Sequence, residues 1–376
     1  MLNENMEAYA SGILEELKKL IRDLAVIPAP SHHEDLRVAF LTDWLKRQGA
    51  EHVHVDEAKN VIWSLNDTGS NDLAVMMAHT DVVFPDTTPL PLVVEEGVYR
   101  CPGVTDDVAP LCCLLMSALY FHRAGLTPKN GLLIVANSCE EGLGNLKGSR
   151  CIVDTYGSRI KEFITVEAGP NRISDRAVGS HRYRVTVETE GGHSYGKFGN
   201  RNAIRYLASM IDALYAVKVP DKENCKTTYN VGTISGGTSV NTIAQRAEML
   251  YEYRSDDLEC LMKMQKMFEA VIEAYRTMGI QVDVELLGER PCGTITAEKE
   301  KPLTDKLEQA IRETLHMEPV YRSGSTDANY PLFKGIPAAC MGSVGSHGAH
   351  TREEYLELKD LLPGIRLVLD VMNTYF

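Results

Sequence analysis

The sequence predicts an α/β fold into which a second, α+β domain is inserted, and three observations support this prediction. The length of 376 residues exceeds what one compact core usually organises, so two domains are expected. In the first half, apolar runs bounded by turn residues alternate with helical patterns, as a parallel or mixed sheet flanked by helices requires. From about Ala177 the pattern changes, and after about Pro291 the first pattern returns.

Several elements of the first pattern can be placed in order along the chain. The helix predicted over 108–122 carries Pro110 in its first turn, where a proline is tolerated. The apolar runs that predict strands cover residues 73–78, 132–137, 163–166 and 337–341.

The inserted region has the order strand, helix, strand, strand, helix, strand of a ferredoxin-like domain. Tyr183, Val185 and Val187 alternate with polar residues, as in a half-buried strand. The order can bury one face of a sheet under two helices. We therefore expect a discontinuous first domain, residues 1–177 and 291–376, and an inserted domain, residues 178–290. The further elements predicted in the insertion are helices 202–217 and 258–278 and strands 229–234, 247–253 and 281–287.

Composition and charge exclude several classes of protein. A net charge of -13 without a basic run argues against nucleic acid as a partner. Nine cysteines, without the spacing of a disulfide framework or a thiolate zinc site, favour a reducing compartment. The longest nearly apolar stretch, residues 108–121, is shorter than the about 20 residues that cross a bilayer, and the N-terminus does not resemble a signal peptide. We expect a cytoplasmic protein with no membrane partner.

His79 and Asp81 stand two residues apart at the end of an apolar run. In an extended chain both side chains point to the same side, so the Asp81 carboxylate can orient the His79 imidazole. A metal-bound histidine usually donates its second ring N–H to such a carboxylate. The alternative for so short a motif is an ordinary turn.

Two pairs of adjacent acids are further candidates for a metal site, and each pair has an ordinary structural alternative. Asp106 and Asp107 precede a predicted helix, where one carboxylate could simply cap the free N–H groups. Glu140 and Glu141 end a predicted strand, in which adjacent side chains diverge, so one could bind a metal while the other faces a bound water. The alternative for the second pair is a solvated surface.

Glu167 ends a third predicted strand, and His350 lies in a glycine-rich loop after a fourth. The carboxyl ends of strands are where α/β sheets form their ligand-binding crevice. Histidine and carboxylate ligands without thiolates suit zinc, or cobalt and manganese, and several carboxylates around few histidines indicate two cations that share a bridging ligand. We therefore expect two divalent metal ions.

Six motifs, taken together, resemble those of the M20 family of metallopeptidases, in the right order and over nearly the whole chain. The resemblance implies a mixed-sheet zinc-peptidase catalytic domain with an inserted ferredoxin-like lid and dimerisation domain, and hence a homodimer. The motifs are Ala78-His79-Thr80-Asp81, Gly103-Val104-Thr105-Asp106-Asp107, Glu140-Glu141-Gly142, Gly191-Gly192-His193-Ser194, Ser323-Gly324-Ser325-Thr326-Asp327 and Gly348-Ala349-His350-Thr351 with Glu354.

The resemblance implies a ligand set for each ion. His79, Asp106 and Glu167 would hold one ion. Asp106, Glu141 and His350 would hold the other, which makes Asp106 the bridge. The expected ions are zinc, with cobalt or manganese as alternatives.

The resemblance also implies roles around the ligands. Glu140 would be the general base, and Asp107 would follow Asp106 through the cis peptide bond of the family. His347 is an alternative to His350 as a ligand. We prefer His350 because only it has the family's glutamate four positions later.

Substrate contacts are implied in both domains. His193 is similar to the histidine that, in dimeric members, reaches into the partner's active site and stabilises the oxyanion. Asn241 and Arg254 match positions that help bind substrate. The arginine would pair with a carboxylate through two hydrogen bonds. A further stretch would offer main-chain and hydroxyl donors, although it is equally typical of a turn. It consists of Gly324, Ser325 and Thr326.

The implied reaction is hydrolysis of an amide bond in a small substrate. Glutamate at position 167 resembles carboxypeptidases, deacylases and desuccinylases of the family. Gly192-His193-Ser194, together with Ser325-Thr326-Asp327-Ala328-Asn329, is more similar to tripeptidase-like members. We expect an exopeptidase of the di- or tripeptidase or carboxypeptidase type. The alternatives are an N-acyl amino acid amidohydrolase and, from another class, a binding module without catalysis.

Two further predictions concern residues outside these motifs. Ser31 and Glu34 have the spacing of a helix capping box, which predicts that His32 and His33 between them are solvated. Cys139, beside Glu140, is expected to be buried at the strand end, and the alternative is a reactive thiol.

Overall fold

The computed structural model describes residues 2–376 and is an α/β structure, as the sequence predicts. The chain passes twice between two structural units, after Ala177 and after Gly293. The first unit takes the residues up to Ala177 together with Thr294–Phe376, and the second takes Val178–Gly293. Each unit has its own sheet and its own hydrophobic core.

The chain up to Ala177 contributes five helices and eight strands to the first unit. Strands β3, β6 and β7 cover the three predicted apolar runs, because a strand buried on both faces is a continuous apolar segment. The helices are α1 (Glu4–Gly12), α2 (Leu14–Ala25), α3 (Asp35–Arg47), α4 (Ala109–Arg123) and α5 (Lys147–Tyr156). The strands are β1 (Val53–Val55), β2 (Val61–Leu65), β3 (Leu73–His79), β4 (Val93–Glu95), β5 (Val98–Arg100), β6 (Gly131–Asn137), β7 (Ile160–Glu167) and β8 (Arg172–Ala177).

Helix α4 is the central helix of this unit. Pro110 lies in its first turn, as predicted, and almost every residue of the helix is buried. The segment Val104–Arg123 is the one described stretch that is long and apolar enough to cross a membrane, but most of it lies in the interior of the unit. It is a buried core helix of this unit.

The second unit is a four-stranded antiparallel sheet with two helices. The strand order is β11-β13-β9-β14, and Tyr183, Val185 and Val187 on β9 are buried, as their alternation predicts. Residues 291–293 stay with this unit, where Cys292 is buried and its thiol donates to the Ser255 carbonyl at 3.1 Å. The elements are β9 (Gly179–Glu188), β10 (Gly192–His193), α6 (Ala203–Tyr215), β11 (Thr227–Gly236), β12 (Thr242–Ile243), β13 (Arg246–Ser255), α7 (Leu258–Thr277) and β14 (Gln281–Arg290).

The last part of the chain completes the first unit. Strands β15 and β16 complete an eight-stranded mixed sheet in the order β1-β2-β6-β3-β7-β16-β8-β15, and β17 joins β5 and β4 in a separate three-stranded sheet. Strand β16, which covers the predicted 337–341, is inserted between β7 and β8, and helix α10 packs on α4. The elements are α8 (Ala297–Ala310), β15 (Val320–Gly324), α9 (Asn329–Phe333), β16 (Ala338–Gly342), β17 (Tyr355–Glu357) and α10 (Leu361–Asn373).

Candidate metal centre

The carboxyl ends of three parallel strands bring the predicted site residues to one edge of the sheet. Strand β3 pairs in parallel with β6 on one side and with β7 on the other. His79 is the last residue of β3, Glu167 is the last residue of β7, and Glu140 and Glu141 follow β6. The sheet therefore gathers at one edge residues that are far apart in the sequence.

Four of the predicted ligands are in mutual contact at this edge. His79, Asp106 and Glu141 have candidate ligand atoms within 4.8 Å of one another. His79 Nε2 lies 3.1 Å from Asp106 Oδ1, and His350 Nε2 lies 3.0 Å from Asp106 Oδ2. His350 Nε2 also lies 3.2 Å from Glu141 Oε1. The Asp106 carboxylate thus presents one oxygen to each histidine.

The electrostatics of the cluster are dominated by burial and by these close pairs. Burial lowers the pKa of His79, but the carboxylates of Asp107 and Asp106 raise it well above its ordinary value. Burial raises the pKa of Asp106, yet hydrogen bonds with His350 and His79 hold it well below its ordinary range. Hydrogen bonds to Asp106 and Glu141 raise the pKa of His350 to about 10. The imidazoles therefore balance the charge of the carboxylates.

This donor set fits a divalent cation. A cation would supply the positive charge that the imidazoles now supply, and it would leave them neutral, which is the form in which histidine binds metal. Two imidazoles and several carboxylates, without a thiolate, suit zinc, cobalt or manganese.

Asp107 supports the cluster from the other side of a cis peptide bond. The Asp106–Asp107 bond is cis, as the resemblance implied. Asp107 is buried, and its Oδ2 accepts the main-chain N–H of His79 at 3.0 Å. No side-chain cap is formed at the start of α4, so the alternative of a simple helix cap is wrong.

Glu354 fastens the loop that carries Asp106. It is buried, and its carboxylate accepts the N–H groups of Gly103 and Thr105, each at 2.7 Å, and that of Asp106 at 3.0 Å. The Thr105 hydroxyl donates to it as well, at 2.7 Å. Because Glu354 follows His350 closely, one carboxylate joins the two loops that supply ligands.

Asp81 holds the backbone of the two glutamates more directly than it holds the imidazole. His79 Nδ1 lies 3.0 Å from the main-chain oxygen of Asp81 and 3.6 Å from its carboxylate. The Asp81 carboxylate instead accepts the N–H groups of Glu140 and Glu141, both at 2.9 Å, and the Ser31 hydroxyl at 2.7 Å. The expected link to the histidine therefore runs mainly through the main chain.

Both glutamates are only 5% exposed, which excludes the alternative of solvated surface acids. Of the two, it is Glu141 that joins the described cluster with His79 and Asp106. Glu140 lies beside it with its backbone fixed by Asp81.

The capping-box interpretation of Ser31 and Glu34 is wrong. Ser31 donates to Asp81, and Glu34 directly precedes α3 without forming a side-chain cap. Glu34 is buried and accepts the N–H groups of His32 at 2.9 Å and of Cys139 at 3.1 Å. His32 is exposed and Cys139 is buried, as predicted. Ser31 and Glu34 are thus supports of the site that the sequence reasoning missed.

Glu167 and Asp327 lie close to the cluster with partners of their own. Glu167 pairs with Arg172 Nη2 at 2.6 Å. Asp327, to which the sequence reasoning gave no role, is buried and accepts the Asn137 amide at 2.5 Å. Burial raises the pKa of Asp327 to about 7.

The comparison with known proteins decides the family. The model of peptidase family M20/M25/M40 matches residues 75–374, which is most of the chain. The chain belongs to peptidase family M20/M25/M40. The expectation from the six motifs is confirmed, and the chain is a hydrolase of this family.

Individual relatives cover nearly the whole length. The uncharacterized protein YqjE of Bacillus subtilis is 25% identical over 330 residues, which are 84% of each chain. A tripeptidase from Staphylococcus aureus has a TM-score of 0.77 at 20% identity. The match covers 96% of this chain and 98% of the tripeptidase. An M20 family metallo-carboxypeptidase from Sulfolobus solfataricus also has a TM-score of 0.77, at 14% identity, with coverages of 96% for this chain and 99% for the relative. The two solved structures establish the M20 fold.

The expected substrate donors of the M20 catalytic domain lie at the end of β15, where Gly324 is the last residue, and in the turn before α9. The Thr326 N–H donates to the Asn329 side chain at 3.0 Å, and the Thr326 hydroxyl accepts the Ala328 N–H at 3.2 Å. These two groups are used within the turn. Gly324 and Ser325 are partly exposed.

His193 and Asn241 are neighbours in the second unit. Strand β10 pairs with β12, so His193 lies opposite Thr242, and the Ser194 N–H donates to the Asn241 carbonyl at 2.9 Å. His193 is exposed, and its Nδ1 accepts the N–H groups of Tyr195 and Gly196, both at 3.3 Å. In the neutral ring, Nε2 is then the nitrogen that carries the proton.

Arg254 lies at the far end of the second unit's sheet from that pair. It is eight residues along β13 from Arg246, a distance of about 27 Å in a strand. Its guanidinium forms two hydrogen bonds with Glu252, each of 3.0 Å. Within the second unit, then, the three expected substrate residues form a pair and a separate arginine.

Proposed function

We propose that this M20 protein is a metal-dependent exopeptidase that hydrolyses an amide bond of small peptides with two divalent metal ions. The observation that carries the proposal is the Asp106 carboxylate, with one oxygen 3.1 Å from His79 and the other 3.0 Å from His350. A carboxylate in that position can bridge two cations. The tripeptidase and the metallo-carboxypeptidase that share the fold support small peptides as substrates.

The proposed ligands are His79, Asp106 and Glu167 for one ion and Asp106, Glu141 and His350 for the other. The pair between Glu167 and Arg172 is compatible with this role, because a carboxylate has enough acceptor sites for a cation and a guanidinium together. The arginine would then orient the ligand. We expect zinc, with cobalt or manganese as the alternatives. When bound, the two ions would acidify a water molecule and polarise the substrate carbonyl.

The chain's own residues move the protons and hold the substrate. Glu140, whose backbone is fixed by Asp81, would take a proton from the attacking water and return it to the leaving amine. His193 would donate a hydrogen bond from its Nε2–H to the oxyanion, where charge develops in the transition state. Asn241 and Arg254 would contact the substrate, with Arg254 exchanging Glu252 for a substrate carboxylate.

We also propose that the second unit acts as the lid and dimerisation domain and that His193 acts in the partner's site. Closure of a lid would exclude water from the reacting groups and would restrict the enzyme to small substrates. A cytoplasmic location is proposed because all nine cysteines of the chain are free thiols.

The central test separates the base from a metal ligand by using two adjacent glutamates. Glu140→Gln should keep metal and lose turnover by about 10²- to 10⁴-fold, because only proton transfer is removed. Glu141→Gln should lose metal. Metal content per chain and hydrolysis of dipeptides, tripeptides and N-acetyl and N-succinyl amino acids are measured with added zinc, cobalt or manganese. Normal turnover of metal-loaded Glu140→Gln would contradict the proposed base.

The same panel tests the nearest alternative function. An N-acyl amino acid amidohydrolase needs the same metal centre and base, so it differs only in the substrate that it accepts. Hydrolysis of N-acyl amino acids without hydrolysis of peptides would replace the proposed function by that alternative.

A further inference from the structure

A second cluster of histidine and carboxylates lies in the first unit, outside the centre around Asp106. It consists of His347, Glu357 and Asp360, whose candidate ligand atoms lie within 4.8 Å of one another. His347 belongs to the loop before His350, Glu357 ends β17, and Asp360 directly precedes α10. Two stretches of the chain, the loop before His350 and the turn that follows β17, therefore place three donor atoms around a common point.

The distances in this cluster are longer than hydrogen bonds and lie nearer to the separation of ligand atoms around a metal ion. His347 Nε2 lies 3.9 Å from Glu357 Oε2 and 3.8 Å from Asp360 Oδ2. A hydrogen bond between nitrogen and oxygen is about 2.7–3.2 Å long. Ligand atoms about 2.1 Å from a tetrahedral ion lie about 3.4 Å apart. Closer approach of the three donors, whose ligand atoms lie within 4.8 Å of one another, would bring them onto a cation.

The backbone and a ring contact hold the histidine in this orientation. The His347 ring stacks on Tyr355, with centroids 4.6 Å apart and planes 8° apart, and the Tyr355 N–H donates to the His347 carbonyl at 3.0 Å. A Cβ at Gly345 would lie 2.2 Å from Asp360 Oδ2 and 3.1 Å from His347 Nε2. Glycine at 345 therefore allows the donors to converge.

The charge of the cluster calls for a counter-ion. Glu357 and Asp360 bring two negative charges beside one imidazole, and Lys359 Nζ lies 2.5 Å from Glu357 Oε2. The Lys359 side chain is 75% exposed and flexible, so it can leave when a cation takes its place. The donors are partly exposed and can be reached from solvent.

We propose that His347, Glu357 and Asp360 form an additional site for a divalent transition-metal ion, separate from the centre around Asp106. Three protein ligands and solvent would complete its coordination, so binding is weaker than at the main centre. The site joins the two ends of the segment that carries His350. Within the same segment, Glu354 is already fixed to Gly103 and Thr105. Occupancy would therefore stiffen the loop of His350.

The experiment measures Zn²⁺ binding to the full chain by equilibrium dialysis over a range of free zinc concentrations. His347→Ala and Asp360→Asn should each remove one ion per chain or weaken its binding at least tenfold, relative to the unchanged protein. His54→Ala, which removes an exposed histidine on β1, is the matched control and should leave binding unchanged. Circular dichroism and melting temperature verify that each variant is folded.

Two results would overturn the proposal. One is the same number of bound ions and the same affinities in the unchanged protein, His347→Ala and Asp360→Asn. The other is loss of this ion in Glu141→Gln, because a separate site must survive damage to the main centre. The binding claim does not depend on the proposed peptidase activity. Hydrogen exchange of residues 345–354 should slow with excess zinc only when His347 is present, and unchanged exchange would refute the stiffening.

Discussion

The candidate residues of the two units are held in opposite ways. In the first unit, His79, Glu140 and Glu141 are buried at strand ends and fixed by contacts from distant segments. In the second unit, His193 and Asn241 are exposed and are held by contacts within a short pair of strands. Carboxylates that converge on one point need such a rigid, desolvated frame, whereas a group that meets the substrate late can stay in solvent.

The largest effect in this comparison is expected in the exposed region. It tests whether that region contributes to catalysis without contributing to metal binding or stability. His193→Ala should lower kcat by about 10²- to 10³-fold through loss of an oxyanion donor, while metal content and melting temperature stay unchanged. Steady-state kinetics and elemental analysis measure both, and His54→Ala serves as the control. Loss of metal from His193→Ala would erase the contrast between the two units.

Mixing of variants sharpens this test. If His193 acts across a homodimer, reassociated Glu140→Gln and His193→Ala subunits should recover about a quarter of the normal activity, since half of randomly formed dimers hold one working site. No recovery, with mixed dimers demonstrated by tagged subunits, would place the action of His193 within one chain.

A smaller effect is expected from the frame of the buried region. Glu354→Gln should weaken metal binding by about 10- to 100-fold, because a neutral amide oxygen replaces a carboxylate that accepts four hydrogen bonds under Asp106. Zinc titration against a competing chelator measures the affinity. Glu353→Gln changes the exposed neighbour and should bind zinc normally. Equal zinc affinities of Glu354→Gln and the unchanged protein would show that the hydrogen bonds of Glu354 do not position the ligands.

The smallest effect concerns a buried acid outside the metal centre. Glu300 accepts the Ala338 N–H at 3.0 Å, and burial raises its pKa from the ordinary 4.5 to about 8. The folded state then binds the proton more tightly than the unfolded state, so stability is lost as pH rises between these values. The unfolding free energy should fall by about 1 kcal/mol per pH unit relative to Glu300→Gln.

Urea titrations between pH 5 and 8 measure this slope. Glu298→Gln, at an exposed position of the same helix, should follow the unchanged protein. If the unfolding free energy of Glu300→Gln changed with pH in the same way as that of the unchanged protein, ionisation of Glu300 would not contribute to the pH dependence of stability.

The sequence predicts the core of the fold well because buried strands and long helices have strong local patterns. Strands β3, β6 and β16 and helices α4 and α7 lie within about two residues of their predicted ends. The short and polar strands, such as β8 and β17, have no such pattern. They form because neighbours in the sheet pair with them, which is information outside their own residues.

The site shows the same limit. The positions of Asp106 and His350 follow from strand ends and motifs, but Ser31 reaches Asp81 across 50 residues of sequence and Glu354 reaches Thr105 across 249. Such contacts exist only once the tertiary structure is formed. The Asp81 carboxylate was expected on the imidazole and instead holds the backbone of Glu140 and Glu141, because the main chain after β6 comes within its reach.

The position of β16 between β7 and β8 has a consequence for protein synthesis. β7 and β8 leave the ribosome one after the other, but they cannot take their final places until β16, made more than 150 residues later, enters the gap between them. The second unit can complete its own sheet during that interval, since all its strands precede β15. His350 is translated later still, so a nascent chain cannot bring it to Asp106 until the loop after β16 has been made.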